Sequence, residues 1–225
     1  MILHFYGIPG AGKTYFASQI VDKFRDNNKR FINITELSRR NIILKVLFKL
    51  LRVYTSYSGT NKKLKNKLKF ILNKYDSEKS KYSDATVDYY IDSIVFLVFI
   101  TKKNMKRNIN LIFDEGIPQQ LANLGVNFEI SKEVLKDLIY TLSLEVKIET
   151  VYYFCNIETS IKSIQKRDRH VTAIDELKGD ELLDFLEEYS LYLKYIYNEF
   201  ESKVCKREFS LEENFQIINS IKGDN

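Results

Sequence analysis

Residues 2–6, ILHFY, form a short and almost unbroken apolar run, the pattern of a strand buried on both faces. From Lys13 to Asp26 the period changes. Phe16, Ile20, Val21 and Phe24 recur every three or four positions, which predicts an amphipathic helix closed by Asn27-Asn28. Arg30 to Ile34 reads as a second short strand. Asn41 to Tyr54 and Lys62 to Tyr75 then show helical apolar spacing, with SYSGTN between them; Leu64, Leu68 and Ile71 share one face of the second helix. A third, longer helix is predicted over 84–103, capped by Ser83.

Strand character returns at 110–116, NLIFDEG, an apolar run that ends in two carboxylates. Ser131 to Leu144 reads as a helix, and nothing regular is predicted between these two segments. TVYYFCN at 150–156 is a β-branched and aromatic strand, followed by helices over 158–166 and 180–201. The second of these carries Leu183, Leu186, Tyr189, Leu193 and Ile196. A last strand over 203–209 and a helix over 211–221 complete the pattern. Strands alternating with helices predict an α/β fold with a parallel sheet covered on both faces.

Composition narrows this further. Of 225 residues, 44% are hydrophobic and 29% charged, enough apolar material for a sizeable core and too much for a disordered chain. Two Pro and eight Gly leave no linker, so residues 1–225 read as one domain with a helical insertion over 39–104. The longest apolar run, Ile94 to Ile100, falls well short of the roughly 18–20 residues a membrane span needs. The amino terminus lacks the basic and apolar regions of a secretion signal, and two cysteines make no disulfide framework. A cytoplasmic protein with no membrane contact is the expectation. Net charge is +5, but residues 39–81 hold 13 Lys/Arg against two acidic residues, which leaves the rest of the chain at −6.

The chemistry concentrates in GIPGAGKT, residues 7–14, which fits G-x-x-x-x-G-K-[ST] between an apolar strand and a helix. Gly7, Gly10 and Gly12 let the backbone of Gly7, Ile8, Pro9, Gly10, Ala11 and Gly12 wrap a phosphate. The amides of Lys13, Thr14 and Tyr15 open a helix whose positive end faces the same anion. Lys13 can bridge β- and γ-phosphates, and the Thr14 hydroxyl can ligate Mg²⁺. A Mg²⁺–nucleotide site also needs a carboxylate from a neighbouring strand. Asp114 is placed to bind the metal through water, and Glu115 to polarise either an attacking water or a substrate hydroxyl. A third element is SIKSIQKRDR, 160–169, whose Arg167 and Arg169 would serve a mobile lid over 166–177, closing on the phosphates. No guanine-reading N-K-x-D string is present; ATP or another NTP is the expected donor, and ATP against GTP stays open.

These motifs in this order, with the long helix DFLEEYSLYLKYIYNEF after them, resemble the P-loop kinases of nucleosides and nucleotides, most closely the deoxynucleoside and thymidylate kinase branch. The Pro within the loop is also similar to that of zeta-toxin-like and polynucleotide kinases. The resemblance covers roughly residues 1–36, 108–170 and 180–222. It implies a three-layer P-loop NTPase fold with strand order 2-3-1-4-5 and an R-x-R lid at Arg167 and Arg169. It also implies a base at Glu36, just past the second strand. The chain departs from that branch at Asp114-Glu115-Gly116, where those kinases carry Asp-Arg or Glu-Arg.

The expected activity is ATP- and Mg²⁺-dependent phosphoryl transfer to a small molecule: a nucleoside, a nucleotide, or a sugar or other metabolite. The competing expectation is an ATPase with water as acceptor, associated with nucleic acid through 39–81. That basic run also fits an acceptor pocket for an anionic substrate, or a solvated face whose lysine stems cover apolar core. His4 and His170 lack partners at zinc-ligand spacing.

Overall fold

The computed structural model describes residues 1–27, 31–34, 37, 41–75, 84–107, 109–167 and 173–221. Glu36, Ser83, Arg169 and His170 lie outside them, as does the middle of the 166–177 segment. The strands are β1 (Ile2–Tyr6), β2 (Phe31–Asn33), β3 (Asn110–Phe113), β4 (Glu149–Phe154) and β5 (Lys203–Lys206). Among the described residues they form one all-parallel sheet in the order β2-β3-β1-β4-β5. Register pairs Leu3 with Ile112 and His4 with Phe113 on one side of β1, and Tyr6 with Tyr152 on the other. All five residues of β1 are buried, as a central strand with helices on both faces requires.

On one face lie α1 (Lys13–Asp26) and α9 (Leu211–Ser220). Their apolar stripes meet at Phe24, whose ring stacks on Phe31 at 4.1 Å and tilts against Phe215 at 5.0 Å. Phe16 lies over Tyr153 of β4 with ring centroids 4.4 Å apart. The other face carries α4 (Asp84–Met105), α5 (Ile117–Phe128) and α8 (Gly179–Phe200). The remaining helices are α2 (Ile42–Ser56), α3 (Gly59–Tyr75), α6 (Lys132–Ser143) and α7 (Ile157–Gln165). The strand order, the parallel sheet and the three layers are those the sequence implied.

Four details differ from the sequence reading. Helix α5 occupies a stretch where nothing regular was expected. Its Pro118 sits in the first turn, where a missing N–H is harmless, instead of marking a loop. Helix α3 begins at Gly59, so the break after α2 shrinks to Tyr57-Ser58. In α8 the buried stripe runs through Leu182, with Leu183 partly exposed. Helix α2 packs on α4, with Phe48 edge-on to Phe96 and Leu44 and Leu51 partly buried, yet most of its apolar residues are exposed.

The basic run is partly internal. Lys65 is buried against α4, its ammonium 2.7 Å from Asp92 and 3.9 Å from Asp88, and it lies over the Tyr57 ring at 4.4 Å. Lys69 pairs with Asp88 at 2.7 Å. Lys45, Lys49, Lys62, Lys63 and Lys67 are exposed.

Candidate nucleotide site

The strand order decides where the site lies. Because β3 and β4 flank β1, the loops leaving all three converge at the carboxyl edge of the sheet. The loop after β1 turns through Gly10 at φ 84° and Gly12 at φ 94°, both left-handed. A Cβ on Gly10 would also stand 2.8 Å from Ser160 O and 2.9 Å from Ile164 Cγ1, so α7 seals the loop from behind. At Gly7 the constraint is closeness alone: a Cβ would sit 2.4 Å from Tyr153 O. Gly12 caps α1 without a side chain, and the first turn holds no acidic residue. The helix therefore presents bare amides and its positive end to whatever the loop encloses.

Lys13 as a whole is half-buried, but its ammonium is deep in the loop and donates to Gly7 O at 2.8 Å and Ile8 O at 3.0 Å. Burial lowers its pKa to about 8; the charges of Glu115 and Asp114 work in the opposite direction, and Arg167 adds to the lowering. These groups thus share one electrostatic neighbourhood. The Thr14 hydroxyl donates to Asp114 Oδ2 at 2.6 Å. Asp114 is fully buried just past β3, whereas the next residue, Glu115, is exposed.

A divalent cation fits this pair. Hydroxyl and carboxylate converge on one point at the mouth of the loop. Among the described residues no cluster of three His, Cys, Asp or Glu offers an all-protein cage. One hydroxyl and one carboxylate, completed by phosphate oxygens and water, is the donor set Mg²⁺ prefers.

Of the other expected contacts, Ile8 and Ala11 are buried and Pro9 is partly buried. Tyr15 contributes its place in the first turn of α1; its side chain is 71% exposed, and Gln19 donates to its hydroxyl at 3.2 Å. Arg167 lies two residues past the end of α7, next to this neighbourhood, and is partly buried.

The structure also assembles supports that the sequence reading did not single out. Gly7 N–H donates to Gln119 Oε1 at 3.0 Å; Gln119 Nε2 donates to the Tyr189 hydroxyl, which donates to Asn123 Oδ1. Ser160 Oγ donates to Pro9 O. Arg207, beyond β5, donates to Gly10 O at 3.1 Å and to Ser163 Oγ at 2.8 Å, tying the loop to α7. Only Gln119 had a usable signal, its position five residues after Asp114. His4 has a structural place instead. Its Nδ1 accepts from Ile117 N–H at 3.3 Å, and its Nε2 lies 3.1 Å from Thr101 Oγ1, whose proton goes to Leu97 O. That assigns the neutral Nε2–H tautomer, and burial lowers the His4 pKa to about 3.

No protein-family model matches the chain, and no curated protein matches it either. Solved structures do match over nearly its whole length. Deoxyadenosine kinase from M. mycoides with bound dATP is 18% identical, covers 98% of each chain and superposes with a TM-score of 0.50. Shikimate kinase from Bacteroides thetaiotaomicron is 12% identical, covers 98% of this chain and 97% of its own, with a TM-score of 0.51. The fold is therefore that of the P-loop small-molecule kinases.

Proposed function

We propose that this protein transfers the terminal phosphoryl group of ATP, in a Mg²⁺-dependent reaction, to a hydroxyl-bearing small molecule. The observation that carries the proposal is the meeting of Lys13, Thr14 and Asp114 at the carboxyl ends of two adjacent strands, with Thr14 Oγ1 2.6 Å from Asp114 Oδ2.

In this reading the amides from Gly7 to Tyr15 hold the donor phosphates, and Lys13 turns from its own loop carbonyls to the β- and γ-oxygens. Thr14 and, through water, Asp114 would hold Mg²⁺, which when bound offsets charge on the migrating group. Arg167 and Arg169, on a lid over 166–177, place guanidinium groups against the equatorial oxygens and exclude water. Glu115 takes the proton of the acceptor hydroxyl, with Glu36 the second candidate for that role. The helices of the 39–104 insertion border the acceptor. The two structural neighbours are named for a nucleoside and for shikimate, both hydroxyl-bearing small molecules. The ion pairs of Lys65 and Lys69 remove two cations from the surface a polyanion would use, which favours this reading over a nucleic-acid-associated ATPase.

The test is ADP release with Mg²⁺ and separate pools of nucleosides, nucleotides, sugars and oligonucleotides, with Lys13→Ala as the blank. One small-molecule pool should raise ADP release well above the rate of protein alone. Acceleration by oligonucleotides alone, without their phosphorylation, would overturn the proposal.

A further inference from the structure

Helix α5 sets three amides among its buried apolar side chains. Gln119, Asn123 and Asn127 stand four positions apart, so they share one face of the helix. Gln119 is buried and the other two are partly buried. An amide taken from water costs free energy unless its groups find partners. Here the partners are tyrosines. The hydroxyl of Tyr189 on α8, 1% exposed, lies between Gln119 and Asn123, and Asn127 Nδ2 donates to the Tyr90 hydroxyl at 3.1 Å. The Tyr189 contacts have a direction. Its single proton goes to Asn123 Oδ1, so what it offers Gln119 is a lone pair, which only Nε2 can meet. Gln119 must then turn Oε1 toward the loop, where it accepts the Gly7 N–H at 3.0 Å. Reversed, the amide would set Nε2 against the Gly7 N–H, two donors face to face. Burial, then the Glu115 charge, push the Tyr189 pKa well above the ordinary tyrosine value, so the hydroxyl keeps its proton to donate.

We propose that Tyr189 is a positioning residue of the nucleotide site: its hydroxyl, aimed by Asn123, orients the Gln119 amide that holds the entry of the phosphate loop. It acts through Gln119 and not on the nucleotide. The place of the contact argues for this. Gly7 is where β1 gives way to the loop. The start of α5 is already clamped to β1, with Gly116 N–H donating to Phe5 O at 2.9 Å and Ile117 N–H to His4 Nδ1 at 3.3 Å. Gln119 extends that clamp to the first residue of the loop. Because α5 follows directly on Asp114 and Glu115, the clamp also fixes the loop's entry relative to both carboxylates. Gly7 O accepts from Lys13 Nζ at 2.8 Å, a bond that Lys13 gives up as it turns to the phosphates, and Gln119 keeps Gly7 in place when that bond is gone. The Tyr189 ring packs tilted on Phe185 with centroids 5.8 Å apart, an arrangement a phenylalanine would keep, so the hydroxyl can be removed alone. This inference deepens the phosphoryl-transfer reading and rests on its first step, nucleotide binding by the loop.

Titration calorimetry with ATP and Mg²⁺ separates this role from a share in packing. Tyr192 is the control: it lies on the same helix, and its hydroxyl donates to Ile130 O at 2.9 Å, beyond the far end of α5. Tyr189→Phe should bind ATP about tenfold more weakly, the range one well-placed hydrogen bond commands, and Tyr192→Phe within about twofold of wild type. Gln119→Leu already lacks the amide, so adding Tyr189→Phe to it should weaken binding no further. Asn123→Leu leaves Tyr189 intact but frees its proton for Gln119 Oε1, which turns the amide round. It should lose ATP affinity as Tyr189→Phe does, and it carries the test if Tyr189→Phe does not fold. Wild-type affinity in either variant, or losses that simply add in the double variant, would overturn the inference and leave nucleotide binding standing. An equal loss in Tyr192→Phe would overturn it too, by reducing both tyrosines to packing. A wild-type chain that binds no ATP would remove the phosphoryl-transfer reading itself, and this inference with it.

Discussion

Lys13 is held by two opposing demands. Its ammonium must be desolvated to sit inside the loop, which pulls its pKa to about 8, yet it must be charged to meet a phosphate. Below about 8 the cation is present in the free protein, and above it the proton is lost. Nucleotide affinity should therefore weaken as pH rises through about 8, with the midpoint displaced upward in the complex because bound phosphate favours the charged form. Titration of ATP binding from pH 6.5 to 9.5 reads this directly; an affinity flat across that range would separate Lys13 from the phosphates. Replacing Arg167 by Ala should lower kcat by about 10²-fold, the size expected when a donor aimed at the transferring group is removed, with little change in ATP affinity. The reverse split would leave Arg167 as an ordinary cation at a helix end. At this scale the loop was legible in the sequence, because Gly7 to Thr14 is one contiguous backbone geometry. Arg207 was not, since it reaches Gly10 O from 197 positions away and only the fold joins them.

At the scale of elements, the hydrogen bonds around the loop join α5, α7, α8 and the turn after β5 to a single cradle. Gln119→Leu leaves the Gly7 N–H without its partner and should destabilise the fold by about 1–3 kcal/mol. It should also raise the KM for ATP, and chemical denaturation beside initial-rate kinetics checks both. The basic insertion divides just as sharply. Lys65→Ala strands Asp92 of α4 against α3 and should cost about 3 kcal/mol, whereas Lys67→Ala, on the exposed side, should stay within about 0.5 kcal/mol. Equal effects from the two would mean that the pairing inside the insertion is not what holds α3. Elements with a clean period were readable in advance. Helix α5 was not, because Asp114-Glu115-Gly116 and Pro118 give the local signature of a loop whether a helix follows or not. In α8 only the first member of the stripe was misread: Leu182 and Leu183 are adjacent leucines, and packing against α5 and α7, not propensity, chooses between them, while Leu186, Tyr189, Leu193 and Ile196 are buried as expected.

For the whole molecule, strand order is what turns separate motifs into a site. The loop and Asp114 are 100 positions apart along the chain, and they meet only because β3 lies beside β1. The alternation of strands and helices made the parallel sheet legible and the kinase resemblance implied its order, but spacing rules could not reveal the outward apolar face of α2, which exists only relative to the rest of the fold. The same central strand gives the molecule an acid limit. His4 is neutral in the fold with a pKa of about 3, against an ordinary value near 6.5 once unfolded. The unfolded chain binds the extra proton between those values, so this group's contribution is complete above about pH 6.5 and is lost as pH falls toward 3. Stability measured from pH 7 to 4 should decline with a component that a neutral replacement, His4→Gln, removes; an unchanged pH slope in that variant would place the acid sensitivity elsewhere.

The central claim is that the loop's phosphate has a recipient. The most direct measurement follows the label of γ-³²P ATP with Mg²⁺ and the small-molecule pool that best stimulates ADP release. The account predicts label in a small organic product, on the order of 10³-fold more slowly or not at all in Lys13→Ala, with that variant still folded. Label found only as inorganic phosphate, or equal transfer by Lys13→Ala, would contradict it.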